Sequence, residues 1–322
     1  MTSCVHVCFT SHNEVMFRNK SDYIFGIFAM VFAAIRTGSA ILAFALMSDH
    51  VHVIILSSSY SSFVTLFRQS YDKHFNKKYG RVGRLGEKTF YHLDLNGANH
   101  ILAAITYVLR NAVHHGIMKS PYEYEFASTS CYFNKFFARK SFIVPTSMSL
   151  REMNRLGLIC RKSVAECGGK IHFDSDGKIL YEDFVDIPFV ESHYVTGRRF
   201  SYFMTRFSEE EWDKIQMQDI SGTNMNDEEY RAVNPPIKIS DLEPSFNLSD
   251  LMKNENGNFN EKRISDMEVC ELIDEQSLKS YGVKSYVELT NEQKYKIAKE
   301  IRHTYYAGYK QMIRCLAIKD VV

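Results

Sequence analysis

A chain of 322 residues is long enough for more than one domain and for a large buried core. Its 45% hydrophobic and 24% charged residues are globular proportions, which excludes disordered, collagen-like and disulfide-stapled architectures. The formal net charge of +1 hides an asymmetry: residues 1–150 hold 15 Lys and Arg against 8 Asp and Glu, a net of +7, and the remainder is net −6. A basic first half suits a polyanion such as nucleic acid, although the same bias also serves solubility.

Residues 5–10 read as a strand. Cys8 on it and Cys4 just before it are an even step apart and are read as core rather than as metal ligands. The seven cysteines are odd in number, scattered and never in a C-x-x-C pair, so neither a disulfide framework nor a zinc finger is expected, and a reducing cytoplasm fits best.

Residues 21–36 have a helical pattern. Their apolar run, from Tyr23 to Ile35, is shorter than the roughly twenty residues a bilayer requires and has no cleavage-site pattern, so it reads as a buried helix and no membrane association is expected. Residues 40–47 and 51–56 read as two strands joined by the Ser48-Asp49 turn. A helix follows over about 61–79, ending at Gly80, then a short strand around 90–95 and a helix from about 99 to 115 that stops at Gly116. The order strand, helix, strand, strand, helix, strand, helix is that of a split βαβ unit. The expected class is α+β: a ferredoxin-like antiparallel sheet with helices packed on one face.

Beyond residue 145 the character changes. Residues 170–173 and 178–184, joined by Asp174-Ser175-Asp176-Gly177, have the pattern of a hairpin. A helix over about 196–207 carries Arg198, Arg199 and Arg206 beside Phe200, Tyr202 and Phe203. Residues 218–263 are rich in Asn, Asp, Ser and Pro and read as a linker or extended segment. The tail from Ser265 returns to helical periodicity in three short helices, one of them led by Thr290 as a cap.

The most informative stretch is Met47-Ser48-Asp49-His50-Val51-His52-Val53-Ile54-Ile55-Leu56. Side chains alternate across a strand, so His50 and His52 project from one face and two imidazoles can point at one ion. Taken alone, His-x-His also suits two polar residues on a half-exposed strand. On the helix near residue 100, Tyr107 and Asn111 are four residues apart and share a face, among Ile105, Val108, Leu109 and Val113. A helical Tyr taken alone also suits the edge of a core.

The ordered combination is more specific than either part. A strand with His-hydrophobic-His, a helix, a short strand, and a helix with Tyr followed four residues later by Asn resembles the HUH endonuclease superfamily, and within it the REP-associated tyrosine transposases. The resemblance covers most of the first 130 residues. It includes Arg68-Gln69-Ser70-Tyr71, Phe75-Asn76-Lys77-Lys78-Tyr79-Gly80, Gly83-Arg84-Leu85 and the run from Tyr107 to Gly116. Ala112 stands where the family has proline, which predicts a straighter helix, and Gly86-Glu87-Lys88-Thr89 carries fewer arginines than the family's equivalent stretch.

The resemblance implies a single-tyrosine nuclease domain over residues 1–145. Tyr107 would be the nucleophile, and His50, His52 and Asn111 would hold one divalent ion, Mg²⁺ or Mn²⁺, the ions that suit a mixed nitrogen and oxygen site with open positions. The activity implied is cleavage and rejoining of single-stranded DNA beside palindromic hairpins through a 5′-phosphotyrosine, in a protein that is cytoplasmic and nucleoid-associated when bound to DNA. Arg68, Lys73, Lys77, Lys78, Arg81 and Arg84, interleaved with Tyr71, Phe75 and Tyr79, could follow a phosphate backbone while the aromatics stack on bases. A solvated helix face with its aromatics in the core is the competing reading.

His114 and His115 are assigned no ligand role. The remaining segments are expected to be an accessory unit over 146–217, a linker over 218–264, and a helical C-terminal domain over 265–322. That last domain is partly helix-turn-helix-like and is read as accessory or dimerising, with a homodimer as one expected assembly. Two further functions remain open: a non-cleaving DNA-binding regulator, and a relaxase or replication-initiation nickase of the same superfamily. The presence of Tyr107 weighs against the first, and the absence of extra tyrosines and helicase regions against the second.

Overall fold

The computed structural model describes residues 2–11, 14–136, 171–174, 176–205, 209–238, 264–305 and 307–318. The first part is β1 (Ser3–Thr10), α1 (Lys20–Thr37), β2 (Ala40–Leu46), β3 (His50–Ser57), α2 (Tyr60–Tyr79), β4 (Tyr91–Asp94) and α3 (Ala98–His114). The four strands form one sheet in the order β2-β3-β1-β4, every neighbouring pair antiparallel. Each βαβ crossover therefore skips one position, and the strand between fills it.

Local chemistry sets the boundaries. α1 opens with a capping box in which Asn19 and Asp22 satisfy each other's backbone N–H groups, and it closes on Gly38 in the left-handed region. The Tyr23–Ile35 run is almost wholly buried, as expected of a core helix, and among the described residues no helix is long and apolar enough to cross a membrane. α3 runs without a break through the buried Ala112, as expected where proline is replaced.

The sequence reading put the helices on one face of the sheet, and here the structure differs. α2 covers the face of Val7 and Phe9: Phe67 packs on Phe9, Arg68 lies over the Phe9 ring, and Tyr60 stacks on His92. α1 packs along α2. α3 lies on the opposite face, where Tyr107 meets His6 and His52. The reason is legible in the burial of β3, where Val51, His52, Val53, Ile54 and Ile55 are all buried. A strand without hydrophobic alternation is covered on both sides.

The later segments buttress this core. A short antiparallel bridge, Phe173 to Ile179, stands where a hairpin was predicted, and the chain then turns into a 3-10 helix over Tyr181–Asp183. The Asp174 carboxylate accepts from the N–H groups of Asp176 and Lys178, which closes the turn, and the buried Tyr181 opens the 3-10 helix that replaces the second arm. Lys170 and Ser175 of that prediction lie outside the described residues, as do Arg206, Cys160 and Cys167.

α4 (Ile187–Tyr194), α5 (Gly197–Thr205) and α6 (Glu209–Met217) pack behind α3. Two polar contacts pin it: Thr106 Oγ1 to Tyr194 Oη at 2.7 Å, and Arg110 to the Phe203 carbonyl at 3.2 Å. The predicted linker begins with structure of its own, a 3-10 helix over Gln218–Gly222 and α7 (Asp227–Val233), whereas residues 239–263 lie outside the described residues.

Three C-terminal helices form where periodicity predicted them: α8 (Asp266–Tyr281), α9 (Asn291–Tyr305) and α10 (Tyr309–Leu316). Thr290 and Gln293 cap α9 reciprocally, at 2.8 and 3.3 Å. The three helices pack on one another, and polar contacts tie them to the sheet domain. The buried Arg18 guanidinium reaches Asp274 at 2.8 Å and lies 3.8 Å over the Tyr286 ring, while Tyr286 donates to Glu14 at 2.9 Å. α10 is docked by its own C-terminal end, where the Arg314 carbonyl accepts from the Val15 N–H.

Candidate active site on the histidine face of the sheet

Antiparallel register brings the chemistry-bearing side chains together. Thr10 lies opposite His50, Cys8 opposite His52 and His6 opposite Ile54, while β4 sets Tyr91 opposite Cys8 and Leu93 opposite His6. Directly paired residues share a face. His6, Cys8, His50, His52 and Tyr91 therefore project toward α3, which supplies Tyr107 and Asn111 one helical turn apart.

His50 is held from both sides. Its Nδ1 lies 2.7 Å from Asp49 Oδ1 and its Nε2 3.0 Å from Asn111 Oδ1. Burial raises the Asp49 carboxyl, but the hydrogen bond and charge of His50, with Arg314 and His115, outweigh it and hold the group down at about 2. The Asp49 carboxylate accepts from His50 Nδ1–H, which orients the ring with Nε2 toward the Asn111 amide oxygen.

His52 is buried, and its Nδ1 lies 3.0 Å from His6 Nε2, while its Nε2 meets Cys8 Sγ at a long 3.9 Å. Burial, then the neighbouring His50 and His6, keeps His52 well below the ordinary imidazole range. Burial and then His100 bring His6 down to about 4, and burial and then Asp49 push the Cys8 thiol up to about 12. All three are thus uncharged at neutral pH. The Tyr107 ring stands nearly perpendicular to that of His52, with centroids 5.3 Å apart, and 5.9 Å from that of His6.

The four residues singled out from the sequence, His50, His52, Tyr107 and Asn111, therefore converge. Two observations bear on a cation. His50 Nε2 and Asn111 Oδ1 are both candidate ligand atoms, and their 3.0 Å separation is the edge expected of two adjacent ligands at about 2.1 Å from an octahedral ion. The buried Asn111 Nδ2 has no hydrogen-bond partner, so the amide is oriented with its oxygen toward His50 at the cost of an orphaned donor. The donor set fits a hard divalent ion at His50 and Asn111. The remaining nitrogen on this face is His52 Nε2, whose recorded contact is the long one to Cys8 Sγ. Among the described residues no cluster of three or more His, Cys, Asp or Glu side chains forms a ready metal site.

The residues expected to contact DNA divide into two groups. Arg68 is buried and donates to the carbonyls of Leu85 and Glu87, so its guanidinium shapes the loop before β4. Arg81 pairs with Glu14 at 2.7 Å, and Lys78 with the buried Asp22 at 2.6 Å. Lys73, Lys77 and Arg84 are exposed. Tyr71, Phe75 and Tyr79 are core residues and present no ring to a base, because the helical spacing that places them together also turns them toward β1 and α1. The Arg81–Phe90 loop reaches the site from its edge, where Glu87 N–H donates to the Thr10 carbonyl.

Sequence reasoning missed His6, Asp49 and Tyr91 and set Cys8 aside. The available signal was the even spacing of Cys4, His6 and Cys8 on β1, the same alternation that made His50 and His52 conspicuous. His115, assigned no role, is exposed with its ring 4.7 Å from that of His50.

No family model and no curated protein matches the chain. Among solved structures it is similar to a REP-associated tyrosine transposase bound to a REP hairpin, at 14% identity and a TM-score of 0.35 over 46% of this chain and 87% of that one. A likeness of this size assigns no function.

Proposed function

We propose that this protein is a metal-dependent, single-tyrosine endonuclease and strand transferase of the HUH type, acting on single-stranded or hairpin DNA. The observation that carries the reading is the convergence of His50, His52 and Asn111 beside Tyr107. The β2-β3-β1-β4 order, which is that of a ferredoxin-like sheet, supports the same assignment.

His50, Asn111 and His52 would hold Mg²⁺ or Mn²⁺, which when bound polarises a phosphate and stabilises charge on a departing oxygen. Tyr107 Oη forms the bond to phosphorus as the P–O3′ bond breaks. The phenolic proton is lost, and the 3′ oxygen gains one to become a free hydroxyl. The strand remains attached through a 5′-phosphotyrosine, which conserves the phosphodiester energy for rejoining by the reverse step. The exposed Arg84 on the loop beside Thr10, with Lys73 and Lys77, are the cations available for phosphate contacts.

A non-cleaving DNA-binding protein is the second reading. It is favoured by one observation, that both nitrogens of His52 already have partners in His6 and Cys8. Incubation with single-stranded hairpin DNA in Mn²⁺ or EDTA, followed by denaturing electrophoresis, separates the two. A metal-dependent covalent adduct that Tyr107→Phe abolishes while retaining binding is expected; DNA bound without any adduct would replace nuclease by binder.

A further inference from the structure

The Ser48-Asp49 turn between β2 and β3 immediately precedes His50, and it is held from two directions. The sheet domain holds its backbone: the Ser48 carbonyl accepts from Met16 N–H at 2.6 Å, and the Asp49 carbonyl from Ser11 N–H at 2.8 Å. The C-terminal helices hold its side chain. Asp266, the first residue of α8, accepts from Ser48 Oγ at 2.7 Å through Oδ2. The same carboxylate takes a two-pronged contact from Arg314 of α10, Nε to Oδ2 at 2.6 Å and Nη2 to Oδ1 at 2.7 Å.

Two considerations separate this contact from ordinary packing. Both carbonyls of the turn already have backbone donors without Asp266, so the sheet domain anchors the turn independently of the extra bond. Buried ion pairs also return little net stability, because desolvation offsets the attraction; what a fork-shaped, two-pronged pair supplies is geometry. That geometry is imposed one residue from Asp49, whose carboxylate orients His50 at 2.7 Å and through it the Nε2 facing Asn111.

We propose that Asp266 and Arg314 are positioning residues for the active site: α8 and α10 grip Ser48 and thereby hold Asp49 against His50 Nδ1, so that the C-terminal helices are a working part of the nuclease. The inference rests on His50 acting as a ligand. Partners of metal-ligating histidines commonly alter metal affinity about 10–100-fold when removed, and the clamp stands one step behind such a partner.

The test uses the full chain and Mn²⁺ as the probe, with three readouts: Mn²⁺ affinity, the ¹⁵N resonances of the His50 imidazole without metal, and the thermal midpoint. Asp266→Asn and Ser48→Ala are expected to weaken Mn²⁺ by about tenfold or more and to shift the His50 Nδ1 resonance, with Arg314→Lys intermediate. Ser48→Ala removes only a hydroxyl, so it carries the test where Asp266→Asn fails to fold. Unchanged Mn²⁺ affinity and an unchanged His50 spectrum in Ser48→Ala would overturn the proposal. Should the unmodified protein bind no Mn²⁺, the nuclease reading fails on its own account, and the His50 spectrum alone then decides whether the clamp positions this ring.

Discussion

Asn111 Oδ1 stands 3.0 Å from His50 Nε2 at the cost of leaving the buried Asn111 Nδ2 without a partner. A site selected for stability alone would not keep that arrangement, because an unsatisfied buried donor costs about 1–3 kcal/mol. Asn111→Leu, similar in volume and free of polar atoms, is therefore expected to leave the thermal midpoint unchanged or raised while lowering Mn²⁺ affinity by an order of magnitude or more. Calorimetric melting and Mn²⁺ titration of the same preparation check this. A lower midpoint with unaltered Mn²⁺ affinity would make Asn111 a core residue and nothing more.

The neutral histidine pair makes a second prediction, about pH. His6 has its imidazole brought down to about 4 from 6.5 by burial and His100, and His52 moves the same way. Between those values the unfolded chain binds protons that the folded chain refuses, so stability must fall as pH drops from about 6.5 toward 4. For His6 alone the loss is up to roughly 3 kcal/mol. Urea unfolding at pH 7.5 and 4.5 should show the decline, and His6→Gln should flatten it. An equal decline in both proteins would remove His6 as its source.

Much of this site is legible in the sequence, and what is not has identifiable physical causes. Strand alternation puts His50 and His52 on one face and helical spacing does the same for Tyr107 and Asn111, both local periodicities. Each pattern alone also suits an ordinary strand or core edge, and only their ordered combination singles them out. His6 and Cys8 join them only through the pairing of β1 with β3, more than forty residues away, and no local pattern encodes that register. Arg68 and Tyr79 illustrate the opposite error. A basic and aromatic helix was open to reading as a DNA-binding stripe, yet Arg68 is folded into the loop before β4 and Tyr79 donates to the buried Asp22. The composition of residues 218–238 suggested a linker because it is polar, but polarity there serves contacts with the rest of the fold: Asp219 meets α3, and Asn234 meets Asn96 at 3.1 Å.

That division of the cations is itself testable by salt dependence. Lys73, Lys77 and Arg84 are exposed, whereas Arg68 is buried among loop carbonyls. Removing a phosphate contact lowers the slope of log K against log salt by about 0.7 for a single strand. Arg84→Ala is expected to show that change with a wild-type melting curve. Arg68→Ala is expected to destabilise the fold by about 1–3 kcal/mol, because several carbonyls lose their donor. A changed slope in Arg68→Ala with unaltered stability would return Arg68 to the DNA interface.

Asp219 is the last case, and it concerns the helix that carries Tyr107. The N-terminus of α3 has no side-chain cap of its own, since Gly97 precedes it. Asp219 supplies one from 120 residues away, accepting from the N–H of Asn99 at 2.8 Å, the N–H of His100 at 3.1 Å and Asn99 Nδ2 at 2.9 Å. Gly97 makes the approach possible: its φ of +92° disfavours a side chain, and a Cβ there would run into the Asp219 carboxylate. A carboxylate at a helix N-terminus gains both from the free N–H groups and from the helix dipole. Asp219→Ala is therefore expected to cost about 1–2 kcal/mol, with Asp219→Asn recovering part of it. Gly97→Ala should cost a comparable amount by displacing the same carboxylate. Differential scanning calorimetry of the three variants measures the effect, and a double variant tests the shared cause: Asp219→Ala with Gly97→Ala should lose less than the sum of the two single changes. Strict additivity would mean that Gly97 and Asp219 act independently and that the cap is not what Gly97 makes room for.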